Sequence, residues 1–139
     1  MKLYRDILGF TPGYDQILPM SGQALPAGQP GALARLLLLQ SKDPWIGWIG
    51  MLEWQDPKLD PRPDVPVRLG VGDVVLLFNT TEIDDKCARI KALEGIRFTA
   101  DVRTVTYPGR DGGPEIRVRG CNFFDTDGYF VELNQILDR

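Results

Sequence analysis

Near the end of the chain, the runs Ile116 to Phe124 and Tyr129 to Gln135 alternate large apolar with small or polar residues. They flank Asp127-Gly128, a pair that tolerates the positive φ of tight turns, so a hairpin is predicted over Ile116 to Gln135. The loop can be taken as two residues, Asp127-Gly128, or as four, Asp125 to Gly128. Either even length gives the same facing, because strand side chains alternate with period two. One face then carries Arg117, Arg119, Cys121, Phe123, Phe130, Glu132 and Asn134. The other carries Val118, Gly120, Asn122, Phe124, Tyr129, Val131 and Leu133. A carboxylate, two guanidiniums and an amide would thus share a face with aromatic rings.

Earlier in the chain, Leu3, Tyr4, Ile7 and Leu8 form a helical stripe that stops at Gly9. Phe10 to Ile17 is predicted as a short strand, and Pro19 to Pro30 as a loop rich in turn formers. Ala34 to Gln40 and Trp48 to Trp54 are strand-like, with a turn over Ser41 to Trp45 between them. Asp56 to Val67 carries Pro57, Pro61, Pro63 and Pro66 and is the best internal boundary. It separates module one (1–56) from module two (68–139), with 57–67 as linker inside a single domain. Val71 to Phe78 is again strand-like. Thr81 to Leu93 is a predicted helix, with Thr81 as N-cap, acids in its first turn and Gly95 at its end. Ile96 to Tyr107 is a weakly alternating strand, Pro108 to Pro114 a loop, and Ile136 to Arg139 a tail.

The two halves repeat the order helix, glycine, strand, loop, strand, strand. Glu53 near the end of the first half corresponds, on this reading, to Glu132 in the second. One element breaks the match: module two opens with the strand Val74 to Phe78, and module one has no counterpart. A sheet lacking one strand leaves an open edge. Either an upstream segment or another chain segment, including one from a second subunit, is expected to fill it.

Composition narrows the function classes. The chain has 139 residues, 43% hydrophobic and 25% charged, and a net charge of -3, so one domain with a real core is expected. No basic run is present to neutralise phosphates, which argues against nucleic acid. The longest apolar run, Leu36 to Leu39, is too short for a bilayer, and the first residues carry no signal-peptide pattern. Cys87 and Cys121 have no metal or redox spacing and are read as free thiols, with the cytoplasm as the expected location. There is no histidine, which removes the commonest general base and the commonest transition-metal ligand.

Tyr4-Arg5-Asp6-Ile7-Leu8-Gly9-Phe10 and Phe124-Asp125-Thr126-Asp127-Gly128-Tyr129-Phe130-Val131-Glu132-Leu133 resemble the two signature stretches of the vicinal-oxygen-chelate superfamily. This is the group of glyoxalase I, bleomycin-resistance proteins and extradiol dioxygenases. The resemblance implies an α+β fold of paired βαβββ modules. These form a curved, partly open mixed-sheet barrel, here without the first strand of module one, and as a homodimer. It further implies a metal site at Glu132, Glu53 and Asp73, with Val75 as the alternative to Asp73. An all-carboxylate set would suit Mg²⁺, Mn²⁺ or Ca²⁺ better than Zn²⁺ or Fe²⁺. A divalent ion (Mg²⁺, Mn²⁺, Ni²⁺ or Zn²⁺) is the one cofactor in view.

Glu132 is the candidate catalytic residue, as metal ligand or general base, because an acid inside an apolar strand needs a partner. Its bland alternative is pairing with Arg117 or Arg119. Those arginines are candidates for clamping a ligand's anionic group, with Phe123, Phe130 and Asn134 completing the substrate-binding set. Trp45 and Trp48 are candidates for a dimer contact. The absence of histidine favours a domain that binds or sequesters a small organic molecule in a concave cavity. The alternative is a divalent-metal-dependent lyase, isomerase or dioxygenase acting on a vicinal-oxygen substrate such as a glutathione adduct.

Overall fold

In each half of the chain a glycine with positive φ lies between the helix and the next strand, Gly9 at 83° and Gly95 at 82°. An L side chain is disfavoured there, and glycine lets the chain reverse out of the helix into a strand. The computed structural model describes residues 1–21, 29–43, 45 and 47–138, without the side chain of Arg110. Most of the loop expected over Pro19 to Pro30, Pro44 of the turn before β3, and Arg139 of the tail lie outside them. The described chain divides into two units, Met1–Arg62 and Pro63–Arg139, so the division falls within the proline-bearing stretch.

The first unit starts with a helical stretch, Lys2–Ile7, wound one residue wider than an α-helix, since the N–H of Leu8 donates to the carbonyl of Leu3 at 2.9 Å. Strands β1 (Thr11–Pro19), β2 (Leu33–Gln40) and β3 (Ile49–Asp56) follow in an antiparallel sheet of order β1-β2-β3. The central strand β2 is apolar on both faces, and Ala34, Leu37 and Leu39 are buried. Among the described residues no strand pairs beyond β3, so this unit lacks the element that β4 supplies in the second.

The second unit is a complete βαβββ module: β4 (Val75–Asn79), α1 (Ile83–Lys91), β5 (Arg97–Tyr107), β6 (Ile116–Phe124) and β7 (Phe130–Ile136). Its sheet has the order β4-β7-β6-β5, with β4 parallel to β7 and the other pairs antiparallel. Ile83, Cys87 and Ile90 recur at helical spacing and are buried, where α1 packs on β5, β6 and β7. They cover Cys121, Phe123, Val131 and Leu133, each at most 1% exposed. Each large side chain in such a layer contributes about 1.5–3 kcal/mol through burial. The helix starts one residue later than a Thr81 cap would place it: Thr80 Oγ1 accepts the N–H of Glu82 at 3.1 Å, and Glu82 holds the cap position. No described helix is long and apolar enough to cross a membrane.

Two sequence expectations are corrected here. The hairpin loop has five residues, 125–129, not two or four. Asp125 is buried at 2% exposure, and its Oδ1 accepts the N–H groups of Asp127 (3.0 Å) and Tyr129 (2.8 Å). The N–H of Asp125 also donates to the carbonyl of Tyr129 at 2.9 Å. An odd loop inverts the parity of one strand against the other. Phe124 therefore pairs with Phe130, Asn122 with Glu132 and Gly120 with Asn134. Arg117, Arg119, Cys121 and Phe123 share their face with Val131 and Leu133, not with Glu132. Secondly, Cys87 and Cys121 are not free thiols but a disulfide joining α1 to β6. They stand 34 residues apart, and only the docking of α1 on the sheet brings them together.

Candidate functional site

The sheet of the second unit has one face under α1 and one that α1 leaves uncovered. On the uncovered face, β7 presents Glu132, a half-buried carboxylate. Its neighbours follow from the register: Asn122 across on β6 and Leu77 across on β4. Asn134 comes next on the same side of β7. Opposite Asn134 stands Gly120, and a Cβ at that position would run into Asn134 Oδ1. The missing side chain is thus what lets the Asn134 carboxamide lie over β6. Glu132, Asn122, Asn134 and Gly120, with Arg103 and Tyr107 of β5, line a cavity of about 60 Å³. Val105 and Val118 complete its wall.

The charges around this cavity are unevenly committed. Arg97 donates to the carbonyl of Pro66 and lies 5.2 Å from the ring centroid of Phe124. Arg117 grips Asp138 at 2.6 Å, and Arg119 meets Asp84 of α1 at 2.6 Å. Hydrogen bonds from Arg117 hold the Asp138 carboxyl below the usual carboxylate range. Glu132 and Arg103, by contrast, form no side-chain hydrogen bond or ion pair among the described residues, although both line the same cavity. A carboxylate that is half withdrawn from water without a partner costs free energy unless something else supplies the donor.

The residues singled out in the sequence divide accordingly. Glu132, Asn134 and Phe130 come together on the uncovered face. Arg117, Arg119 and Phe123 lie on the α1 side, where Phe123 is fully buried beside Phe98, their ring centroids 5.3 Å apart. Asp73 precedes β4, and its Oδ2 accepts the N–H of Gly70 at 2.6 Å, closing a turn. The β4 residue beside Glu132 is Leu77, with Val75 opposite Phe130 and Asn79 opposite Asn134, so β4 brings no charged side chain to this face. Of the tryptophans outside the core, Trp45 is 94% exposed, while the ring of Trp48 lies against Gly13.

Glu53 belongs to the first unit, on the row Ile17, Arg35, Glu53. It lines a wide hollow of about 650 Å³ with Asp15, Arg35 and Gln55. That hollow is larger, yet its charges are already spent on one another. Arg35 is bidentate to Asp15 at 2.6 and 2.7 Å and stands 3.6 Å from Glu53. Hydrogen bonding to Arg35 lowers the Asp15 pKa. The smaller cavity in the second unit, with its two uncommitted charges, is the better candidate.

Register also corrects the pairing of Glu53 with Glu132 as equivalent positions. In each unit the strand after the helix follows a positive-φ glycine and carries a bulge, between Pro12 and Tyr14 in β1 and between Phe98 and Ala100 in β5. Aligned on these features, Tyr14, Leu38 and Gly50 match Ala100, Asn122 and Glu132. The residue matching Glu132 is therefore Gly50, and Glu53 points to the opposite face. No cluster of three or more Cys, Asp or Glu side chains that could hold a metal occurs among the described residues. Around Glu132 the donors are carboxamides and no second carboxylate, so this donor set does not fit the divalent ion that the resemblance implies.

Sequence reasoning missed Arg103, Tyr107, Gly120 and Asn122 as site residues. The available signal was Asp125, whose side chain can bond its own backbone two residues on and lengthen the loop.

No protein-family model matches the chain, and no curated protein does. Among solved structures, a glyoxalase family protein from Bacillus cereus superposes with a TM-score of 0.70 at 14% identity, over 95% of this chain and 81% of that one. TnmS3, an antibiotic binding protein from Streptomyces sp., gives 0.45 at 22% identity, over 98% and 83%. Lactoylglutathione lyase from Agrobacterium tumefaciens gives 0.34 at 17%, over 96% and 80%. The complete βαβββ module, the three-stranded partial one and the first of these superpositions agree: the chain shares the fold of that glyoxalase family protein.

Proposed function

We propose that this protein binds a small organic molecule on the uncovered sheet face of its second unit, with Glu132 as the anchor. The observation that carries this reading is the half-buried Glu132 carboxylate, without a side-chain partner among the described residues and beside the Asn122 and Asn134 carboxamides. Exposed Leu77 (54%) and Val75 (43%) on β4 offer apolar surface next to it, so a ligand with a polar head and an apolar body matches the face. Binding or sequestration needs no proton transfer and no metal, which suits a site without histidine. A metal-dependent lyase, isomerase or dioxygenase draws no support from this donor set.

The test is a backbone NMR titration of the full chain with a library of planar aromatic and hydrophobic drug-like molecules. Backbone amides report on the site directly, whereas Trp45, Trp48 and Trp54 all belong to the first unit. The expected result is saturable shifts of Asn122, Glu132 and Asn134, weakened at least about tenfold by Glu132→Gln. Absence of shifts on this face across the library, or equal binding by the variant, overturns the reading.

A further inference from the structure

The cavity over Gly120 holds two opposite charges that do not neutralise each other, and this limits what can fill it. Arg103 pairs with Gly120 on β6, which pairs with Asn134 on β7; Glu132 lies two residues from Asn134 along β7. The backbones of Arg103 and Glu132 are thus two strands apart, about 10 Å in the pairing direction and about 7 Å along the strands. Between them Gly120 contributes no side chain, and the Asn134 carboxamide lies across the gap. Arg97, Arg117 and Arg119, the other arginines of β5 and β6, are bound to Pro66, Asp138 and Asp84. Arg103 is the guanidinium of these strands left for a ligand, and Glu132 is the carboxylate this register places on the uncovered face.

From this arrangement, and resting on the reading of the face as a binding site, we infer that the ligand is a small zwitterion. Its protonated amine meets Glu132 and its carboxylate meets Arg103, with Asn134 hydrogen-bonding the segment between. A ligand carrying only an amine would bring its charge towards Arg103, and one carrying only an acid would approach Glu132. Each is disfavoured by the like charge. A molecule with both charges gives the half-buried Glu132 carboxylate a partner and engages the exposed Arg103 guanidinium at the same time. Val105 and Val118 are the two aliphatic side chains in an otherwise polar lining, which suits a short ligand with a charge at each end.

The probes are β-alanine, 4-aminobutyrate and 6-aminohexanoate, with butylamine and butyrate as single-charge controls, titrated into the isotopically labelled full chain. At least one ω-amino acid is expected to bind about tenfold tighter than both controls, shifting Asn122, Glu132 and Asn134. Arg103→Gln and Glu132→Gln are each expected to reduce that affinity to the level of the controls. Arg103 is exposed and Glu132→Gln is isosteric, so both variants should fold, and their unperturbed spectra away from the site check this. A control that binds as tightly as the best ω-amino acid, or an Arg103→Gln variant that binds as wild type, overturns the inference. So does failure of all three ω-amino acids. If the aromatic library still shifts the same residues in that last case, the zwitterion is refuted and the binding site stands. If the library fails as well, both are refuted.

Discussion

Replacing Asp125 tests the link between a turn and the site. Its buried Oδ1 receives the N–H groups of Asp127 and Tyr129, and these bonds hold the loop at five residues. A hydrogen bond to a charged acceptor contributes about 1.5–3 kcal/mol net. Asp127 and Tyr129 are exposed enough for water to reach their freed N–H groups, so the low end applies to each. Asp125→Ala is therefore expected to lose about 3 kcal/mol. Asp125→Asn keeps an acceptor oxygen in place and is expected to lose about 1 kcal/mol, since neutral bonds at about 1 kcal/mol each replace charged ones. The assay is urea unfolding followed by far-UV circular dichroism, because the second unit has no tryptophan. With a slope of about 1–3 kcal/mol per molar urea, the alanine variant should lower the midpoint by about 1–3 M. Where folded, it should also weaken the cross-strand contact of Asn122 with Glu132 in NMR spectra, because the loop fixes which residues face each other. An alanine variant within about 0.5 kcal/mol of wild type, the range of an ordinary surface substitution, refutes this reasoning. So does an asparagine variant as unstable as the alanine one, because the acceptor geometry would then be irrelevant.

Other consequences are open to measurement. Reducing the Cys87–Cys121 bond, or Cys87→Ser, is expected to cost about 4 kcal/mol, the loop-closure entropy for a separation of 34 residues. Two titratable thiols in the unreduced, unfolded protein would refute the bond. Gly120→Ala should destabilise the fold by about 1–3 kcal/mol, as overpacking does, and displace Asn134. Adding Asn134→Ala should recover much of the loss, and strict additivity in a double-mutant cycle would refute the contact. Arg117 lowers the folded pKa of Asp138. That contribution is therefore fully present above the unfolded carboxylate pKa and lost as pH falls through the lowered folded one. Arg117→Gln should flatten the unfolding free energy in that acid window and nowhere else. Burial and then the Asp125 charge raise the pKa of Asp127, so its contribution has the opposite sign and stability falls as pH rises through the carboxylate range. Asp127→Asn should stabilise the fold at neutral pH, with the difference vanishing below the unfolded pKa. Mn²⁺ or Ni²⁺ titration should leave the Glu132 amide unshifted; stoichiometric binding abolished by Glu132→Ala would revive the metal reading.

Elements with strong local causes were legible in the sequence. The Asp-Gly pair marked the hairpin, the apolar stripe of Ile83, Cys87 and Ile90 lies within the predicted helix, and the absent strand of module one followed from comparing the halves. What was not legible turned on single-residue parity. A strand side chain has two possible directions, and one extra loop residue exchanges them for the whole strand. The sequence offered Asp125 to Gly128 as the longest loop, and the structure adds Tyr129 because the Asp125 side chain bonds to its N–H. That one residue moved Arg117 and Arg119 from the proposed cavity to the α1 side and put Asn122 in their place. Parity failed likewise for Glu53: its place near the end of the last strand of its half suggested equivalence with Glu132, but the bulges in β1 and β5 set the alignment three residues away.

The corrected alignment bears on how many ligands a chain should take. On the first unit's face that matches the site, β2 and β3 present Leu36, Leu38, Gly50, Leu52 and Trp54, with neither carboxylate nor guanidinium. The positive-φ glycine before the strand and the bulge within it recur in both halves because they shape the backbone, and backbone shape is what a repeated module must keep. The matching face is free of that constraint, and the two units differ there in the groups that would recognise charge. A charged ligand has its partners in the second unit, so one zwitterion per chain is the expected stoichiometry. Calorimetric saturation at two equivalents per chain, with one site retained in Glu132→Gln, would show that the first unit shares a recognition chemistry its strands do not carry.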